Sequence, residues 1–253
     1  MPSPPHLQVA SVSEFWVMAP SRYATIGEMD VNLYVGVIQF IVLLLSLSVH
    51  ESAHAWTADL LGDPTARYVG RVSLNPLVHA DPIGTILFPI IAMFSGFLFG
   101  WAKPVPVNVS RLRNPVRDHM LVAAAGPVSN LMIATVLFIA LMLMKLFSPE
   151  AASVLRRVAA YEFFGDSLLV PLMAVAYQGI VLNLVLAVFN LIPVAPLDGA
   201  AVLSGLLPRP LVDGLDQMQA YGFIILIGLL YFGVPSMLYS PVIDVVRSYL
   251  IAF

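Results

Sequence analysis

The 253-residue chain has no cysteine, and Asp, Glu, Lys and Arg make up only 11% of it, where a soluble globular protein carries roughly 25%. Without cysteine there are no disulfides and no thiolate ligands, so any metal site must use histidine nitrogen and carboxylate oxygen. The net charge of −3 is too small to imply a strongly basic or acidic partner. The shortage of charge is uneven. Residues 31–49, 83–101, 119–144, 167–197 and 217–243 hold no Asp, Glu, Lys or Arg, and together they make 122 residues. A helix crosses a bilayer with roughly 20 apolar residues. A soluble enzyme, a disordered chain and a nucleic-acid binder are therefore poor readings, and the mean hydropathy of +0.89 agrees. The pattern is that of a polytopic membrane protein in a lipid bilayer.

Residues 1–30 lack the charged and apolar regions of a signal peptide and read as a polar, Pro-containing lead-in. No internal repeat or low-complexity tract is present. The polar connectors, about 63–82, 102–118, 147–166 and 198–216, are each shorter than the roughly 50 residues a separate soluble domain needs. The expectation is one membrane-embedded domain, residues 31–253, built as an all-α polytopic helical bundle with four to six membrane segments. The first helix should run over about 31–61 and stop at Gly62-Asp63-Pro64. A last segment, about 237–253, could span or lie in the interface, with Asp244 and Arg247 placed i,i+3 to pair.

The run 83–101 differs from the others. Pro82, Gly84, Pro89, Gly96 and Gly100 suit a broken or re-entrant element. The flanking connectors carry Arg67 and Arg71, then Lys103, Arg111, Arg113 and Arg117. A preference for positive charge in the cytoplasm puts both flanks on one side, which makes the run a hairpin.

His50-Glu51-Ser52-Ala53-His54 matches H-E-x-x-H and follows directly on an apolar stretch. Residues four apart on a helix differ by about 40° in rotation, so both imidazoles can converge on one cation. Glu51 projects beside them, close enough to reach water at the metal without being a ligand. Two histidines, a carboxylate and water suit a tetrahedral Zn²⁺ site. For the third ligand the residues leave alternatives. Asp198 closes the longest uncharged run after Pro193 and Pro196, which free backbone carbonyls and favour a polar pocket. His79 and Asp81 are rivals, whereas Asp59 points roughly 140° away from His54.

HESAH in an apolar helix, AGPVSN at 125–130 and NLIPVAPLDG at 190–199 resemble the three signatures of site-2 proteases, the intramembrane zinc metalloproteases. GWAKPVPVN at 100–108, LRNP at 112–115 and NPLVHADPIGT at 75–85 resemble the compact prokaryotic branch of that family. The resemblance implies Asp198 as the third ligand of one zinc ion and Glu51 as the catalytic residue. It makes Asn190 a candidate for contact with the scissile carbonyl, and Asn130 a packing residue beside the site. Two departures stand out: no segment is long enough for the PDZ modules many relatives carry between the motifs, and no full helix precedes the H-E-x-x-H helix.

Topology offers an independent check. With 83–101 as a hairpin, the His pair and Asp198 fall toward the same end of their helices; with 83–101 as a span they fall at opposite faces. The expected function is an intramembrane zinc endopeptidase that cleaves a transmembrane helix of another protein, in a prokaryotic inner membrane. A helical carbonyl is hydrogen-bonded, so substrates should carry Gly, Pro or Asn near the cut. The rival reading is a non-catalytic membrane zinc-binding protein, a transporter, sensor or scaffold, which would need no general base at Glu51.

Overall fold

The computed structural model describes residues 26–95, 100–163 and 167–252, and among them every regular element is helical. Three uncharged runs become the three helices long and apolar enough to cross a bilayer. These are α1 (Ile26–Leu60), α5 (Pro115–Phe147) and α7 (Leu169–Asn190). Helix α1 begins inside the expected lead-in; residues 1–25 of that lead-in lie outside the described part. It ends where expected, at Gly62, whose φ of +112° a side chain would strain. The turn is tied down by Asp63, which is fully buried and accepts hydrogen bonds from the Thr65 N–H (3.1 Å), the Thr65 hydroxyl and the Asn108 N–H (2.6 Å). Burial pushes the Asp63 carboxyl up, but these bonds outweigh it and hold it below the usual carboxylate range.

Helix α5 lies at the centre, packed on α1 and α7 in a down–up–down arrangement. Between α1 and α5 the chain makes the short helices α2 (Thr65–Tyr68) and α3 (Pro76–His79), then a π-helical turn, Pro82–Leu87, that leads into α4 (Phe88–Ser95). The two ends of this excursion meet. The Trp101 N–H donates to Gly84 O (3.1 Å), the Thr85 hydroxyl to Trp101 O (2.7 Å) and the Lys103 N–H to His79 O (2.9 Å). Gly84 sits so close to the Trp101 indole that a Cβ would stand 2.3 Å from it. A segment whose ends are bonded to each other leaves on the side it entered, so 83–101 is a hairpin. Residues 96–99 lie outside the described residues.

Helices α10 (Gly222–Tyr231) and α11 (Val234–Ile251) form a pair bent by 59°. The bend falls at Gly233, whose φ is +70°. Helix α10 starts against the loop that follows α7, where a Cβ on Gly222 would lie 2.3 Å from Ala195 O. Helix α11 finishes at the opposite end of the bundle. There the Lys145 ammonium, in the last turn of α5, donates to the carbonyls of Tyr249 (3.1 Å) and Leu250 (3.0 Å). The pair thus runs from one end of the bundle to the other. Counted as one broken span it brings the candidate crossings from three to four, the low end of the expected four to six.

Three further helices fall within the polar connectors: α6 (Pro149–Ala159), α8 (Asp198–Leu206) and α9 (Arg209–Gln219). Their average composition conceals a stripe. In α6, Ala151, Val154, Leu155, Val158 and Ala159 are buried at helical spacing, with Arg156 and Arg157 outside. This stripe joins Leu141, Met173, Tyr177 and Leu250 in the main apolar core. Arg247 places its guanidinium over the Tyr161 ring, 5.9 Å from the centroid.

Candidate metal centre

His50 lies ten residues before the end of α1, about 15 Å along the axis at 1.5 Å per residue. His54 follows one turn later, and both rings are buried. Asp198 arrives from the other side, as the first residue of α8, where the helix N-terminus favours a carboxylate. The two Nε2 atoms are 3.0 Å apart, and Asp198 Oδ2 is 3.1 Å from that of His50 and 3.4 Å from that of His54. Among the described residues, only these three form a group with metal-ligand spacing. The hairpin topology is what brings them together, because it makes α1 and α7 run the same way.

The donor set fits a cation. His50 Nδ1 is 2.7 Å from Asn130 Oδ1, and His54 Nδ1 is 2.7 Å from Val122 O. Both partners are acceptors, so both Nδ1 atoms carry the proton, and in neutral rings both Nε2 atoms then present lone pairs. Asp198 Oδ2 is buried with no hydrogen-bond donor, consistent with two histidines that have no proton to offer it. With both rings neutral, three lone pairs thus face one another within contact distance with no hydrogen between them. That arrangement is repulsive unless a cation fills it. The spacing also agrees with tetrahedral coordination, whose edges are about 3.3 Å for ligand bonds near 2.0 Å.

Gly126 in α5 leaves the room. A Cβ there would lie 2.4 Å from His54 Nε2 and 2.6 Å from His50 Nε2. The next residue, Pro127, lacks an N–H and loosens the helix at the same level. Gly199 lets the 191–197 loop fold back on the start of α8, since a Cβ would meet Leu191 O at 2.3 Å. The glycines of two motifs therefore act through close approach.

Glu51 is half-buried beside the pair. Its Oε2 accepts the Val105 N–H at 3.0 Å, from the segment just after the hairpin. Pro104 and Pro106 flank Val105, so it supplies the one N–H of the three. The other candidates are placed elsewhere. Asn190 stands at the end of α7 and donates its amide to Leu186 O (3.0 Å), one turn back. Neither rival ligand reaches the group. Buried His79 has Nε2 2.7 Å from Ser73 O, and Asp81 caps the π-helical turn by accepting from Ile83 N (3.0 Å) and Gly84 N (2.7 Å). Asp59 is paired with Arg67. Asn130, expected as a packing residue, is bonded directly to His50. Val105, Val122 and Asn183 were not among the candidates read from the sequence. A backbone N–H or carbonyl leaves no mark in a sequence, but Asn183, a polar residue inside a 31-residue uncharged run, does.

A family model, peptidase family M50, matches residues 38–230. Among curated proteins, the chain is 37% identical over 208 residues to YwhC of Bacillus subtilis (strain 168), by name a candidate zinc metalloprotease, covering 82% of this chain and 86% of that one. It is 28% identical over 203 residues to Rip2 of Mycolicibacterium smegmatis, named in the same way, covering 78% of this chain and 68% of that one. Rip2 of Mycobacterium tuberculosis is 28% identical over 198 residues with the same coverage. No solved structure matches significantly.

Proposed function

The chain belongs to peptidase family M50, and from that premise we propose that His50, His54 and Asp198 hold its zinc ion and that Glu51 is its general base. The protein is an intramembrane zinc metalloprotease, a multi-pass membrane protein acting on membrane substrates. The observation that carries the site assignment is the meeting of three lone pairs, with both Nδ1 protons committed elsewhere.

Zinc in this position supplies Lewis acidity and makes water acidic enough to react near neutral pH. Glu51 takes a proton from the attacking water and gives it to the leaving nitrogen. The Val105 N–H holds one oxygen of Glu51 and leaves the other for that proton. Asn190 keeps a second amide hydrogen after bonding Leu186 O, and we assign it to the carbonyl oxygen of the scissile bond. The polypeptide cut is a transmembrane helix of another protein, a single-span regulatory protein or a leftover signal peptide. Residues 31–253 form one protease domain. The Arg-rich end, with Arg67, Arg71, Lys103, Arg111, Arg113 and Arg117, faces the cytoplasm of a prokaryotic cell.

Glu51→Gln tests the reading. The purified variant should retain one zinc per chain while cleavage of a transmembrane substrate falls about 10²- to 10⁴-fold, the usual contribution of a general base. Cleavage at the wild-type rate removes Glu51 from the mechanism. Wild-type protein that binds zinc and cuts no transmembrane substrate favours the non-catalytic alternative.

A further inference from the structure

The interior of the bundle contains a chain of side-chain hydrogen bonds that ends on a metal ligand. His50 Nδ1 faces Asn130 Oδ1 at 2.7 Å on α5; Asn130 Nδ2 donates to Asn183 Oδ1 on α7 at 2.8 Å. Asn183 Nδ2 donates both to Ser46 Oγ on α1 and to Gly179 O on α7, each at 2.8 Å. All four residues are at least 96% buried. The helices come close enough because Gly179 has no side chain: a Cβ there would lie 2.6 Å from Leu137 Cδ1 on α5.

The direction of this chain is not free. An amide side chain can turn over and exchange its oxygen and nitrogen. Gly179 O, however, is an acceptor only. It fixes the Asn183 NH₂ toward itself and Ser46, which turns the Asn183 oxygen toward Asn130. That in turn fixes the Asn130 NH₂ toward Asn183 and its oxygen toward His50. An oxygen there demands a proton on Nδ1, and a neutral imidazole protonated on Nδ1 leaves Nε2 bare.

We propose that Asn183, with Asn130, is a positioning residue for the metal centre: a backbone carbonyl on α7 sets the order of protons through three helices and so holds His50 in its ligating tautomer. The proposal rests on His50 being a zinc ligand. Gln178 supplies the contrast. It is on the same helix and fully buried, but its side-chain oxygen accepts a long bond from Gln39 (3.4 Å) and is not part of the chain that ends on His50.

The test is zinc affinity, measured by chelator competition on protein purified in detergent, with helicity and melting temperature recorded in parallel. Asn183→Leu should weaken zinc about 10- to 100-fold, the usual effect of losing a partner behind a ligand. Asn130→Leu should do the same, and the double variant should be no worse than either alone, because the chain is already broken. Gln178→Leu should lower the melting temperature and leave zinc affinity unchanged. Asn183→Leu with the affinity of Gln178→Leu overturns the proposal, as does strict additivity in the double variant. Should Asn183→Leu not fold, Asn183→Ser, too short to bridge α5 and Ser46, is read in the same way. Wild-type protein without measurable zinc binding would instead overturn the assignment of the metal centre itself.

Discussion

The two ends of the bundle are built on opposite principles. At the end where Lys145 sits, the buried groups are Leu141, Leu155, Val158, Met173 and Leu250 from four helices, and the few polar groups serve as caps. At the Arg-rich end the buried groups include His50, His54, Asp63, His79, Asp118 and Asn130. Each of these is held by hydrogen bonds, several of them to backbone carbonyls or from backbone N–H groups. The first end is packed by shape and tolerates exchange of one apolar group for another of like volume. The second is ordered by direction, since a donor in place of an acceptor changes where a lone pair points. Stability and chemistry are thus separable along one set of helices.

Four substitutions and one control sharpen or break that separation. Gly126→Ala should have the largest effect at the polar end, since its Cβ would overlap Nε2 of both His50 and His54. Zinc per chain, measured by elemental analysis, should fall to near zero, whereas Gly228→Ala, with open space around it, should stay loaded. Leu155→Ala acts on the other end. A cavity at this fully buried leucine should cost about 2–5 kcal/mol of stability, seen as a lower melting temperature with zinc affinity unchanged. A parallel loss of zinc would show that the two ends are coupled.

Val105→Pro removes a single N–H between two existing prolines. Zinc content should hold while cleavage falls about tenfold, the equivalent of one lost hydrogen bond to a charged group; equal activity would mean that Glu51 needs no anchor. Lys145→Met should have the smallest effect. Losing an ammonium at helix-terminal carbonyls should cost about 0.5 kcal/mol. Unfolding of the purified protein measures it, and cleavage should not change.

Much of this was legible in the sequence. The apolar runs gave the long helices, because a chain in lipid must satisfy its backbone within each segment. The H-E-x-x-H spacing put two imidazoles on one face, since helical periodicity alone fixes that relation. The breakers around 83–101, with basic residues on both sides, pointed to the hairpin, and the bonds between Gly84 and Trp101 bear it out. The helices α6, α8 and α9 were hidden in connectors, because mean polarity says nothing about which face is apolar. Asn130 was read as packing, because an Asn near a site motif looks the same whether it fills space or orients a ligand.

By itself, then, the sequence determined that this is a membrane protein, which helix carries the His pair, and that the metal ligands are nitrogen and oxygen. Those properties follow from composition and from spacing within one helix. Only the tertiary structure decided that Asp198, 144 residues beyond His54, meets that pair, that His79 and Asp81 do not, and that Asn130 and Asn183 stand behind His50. Such choices depend on which way each helix crosses and how closely two helices approach. Neither is a local property of the chain.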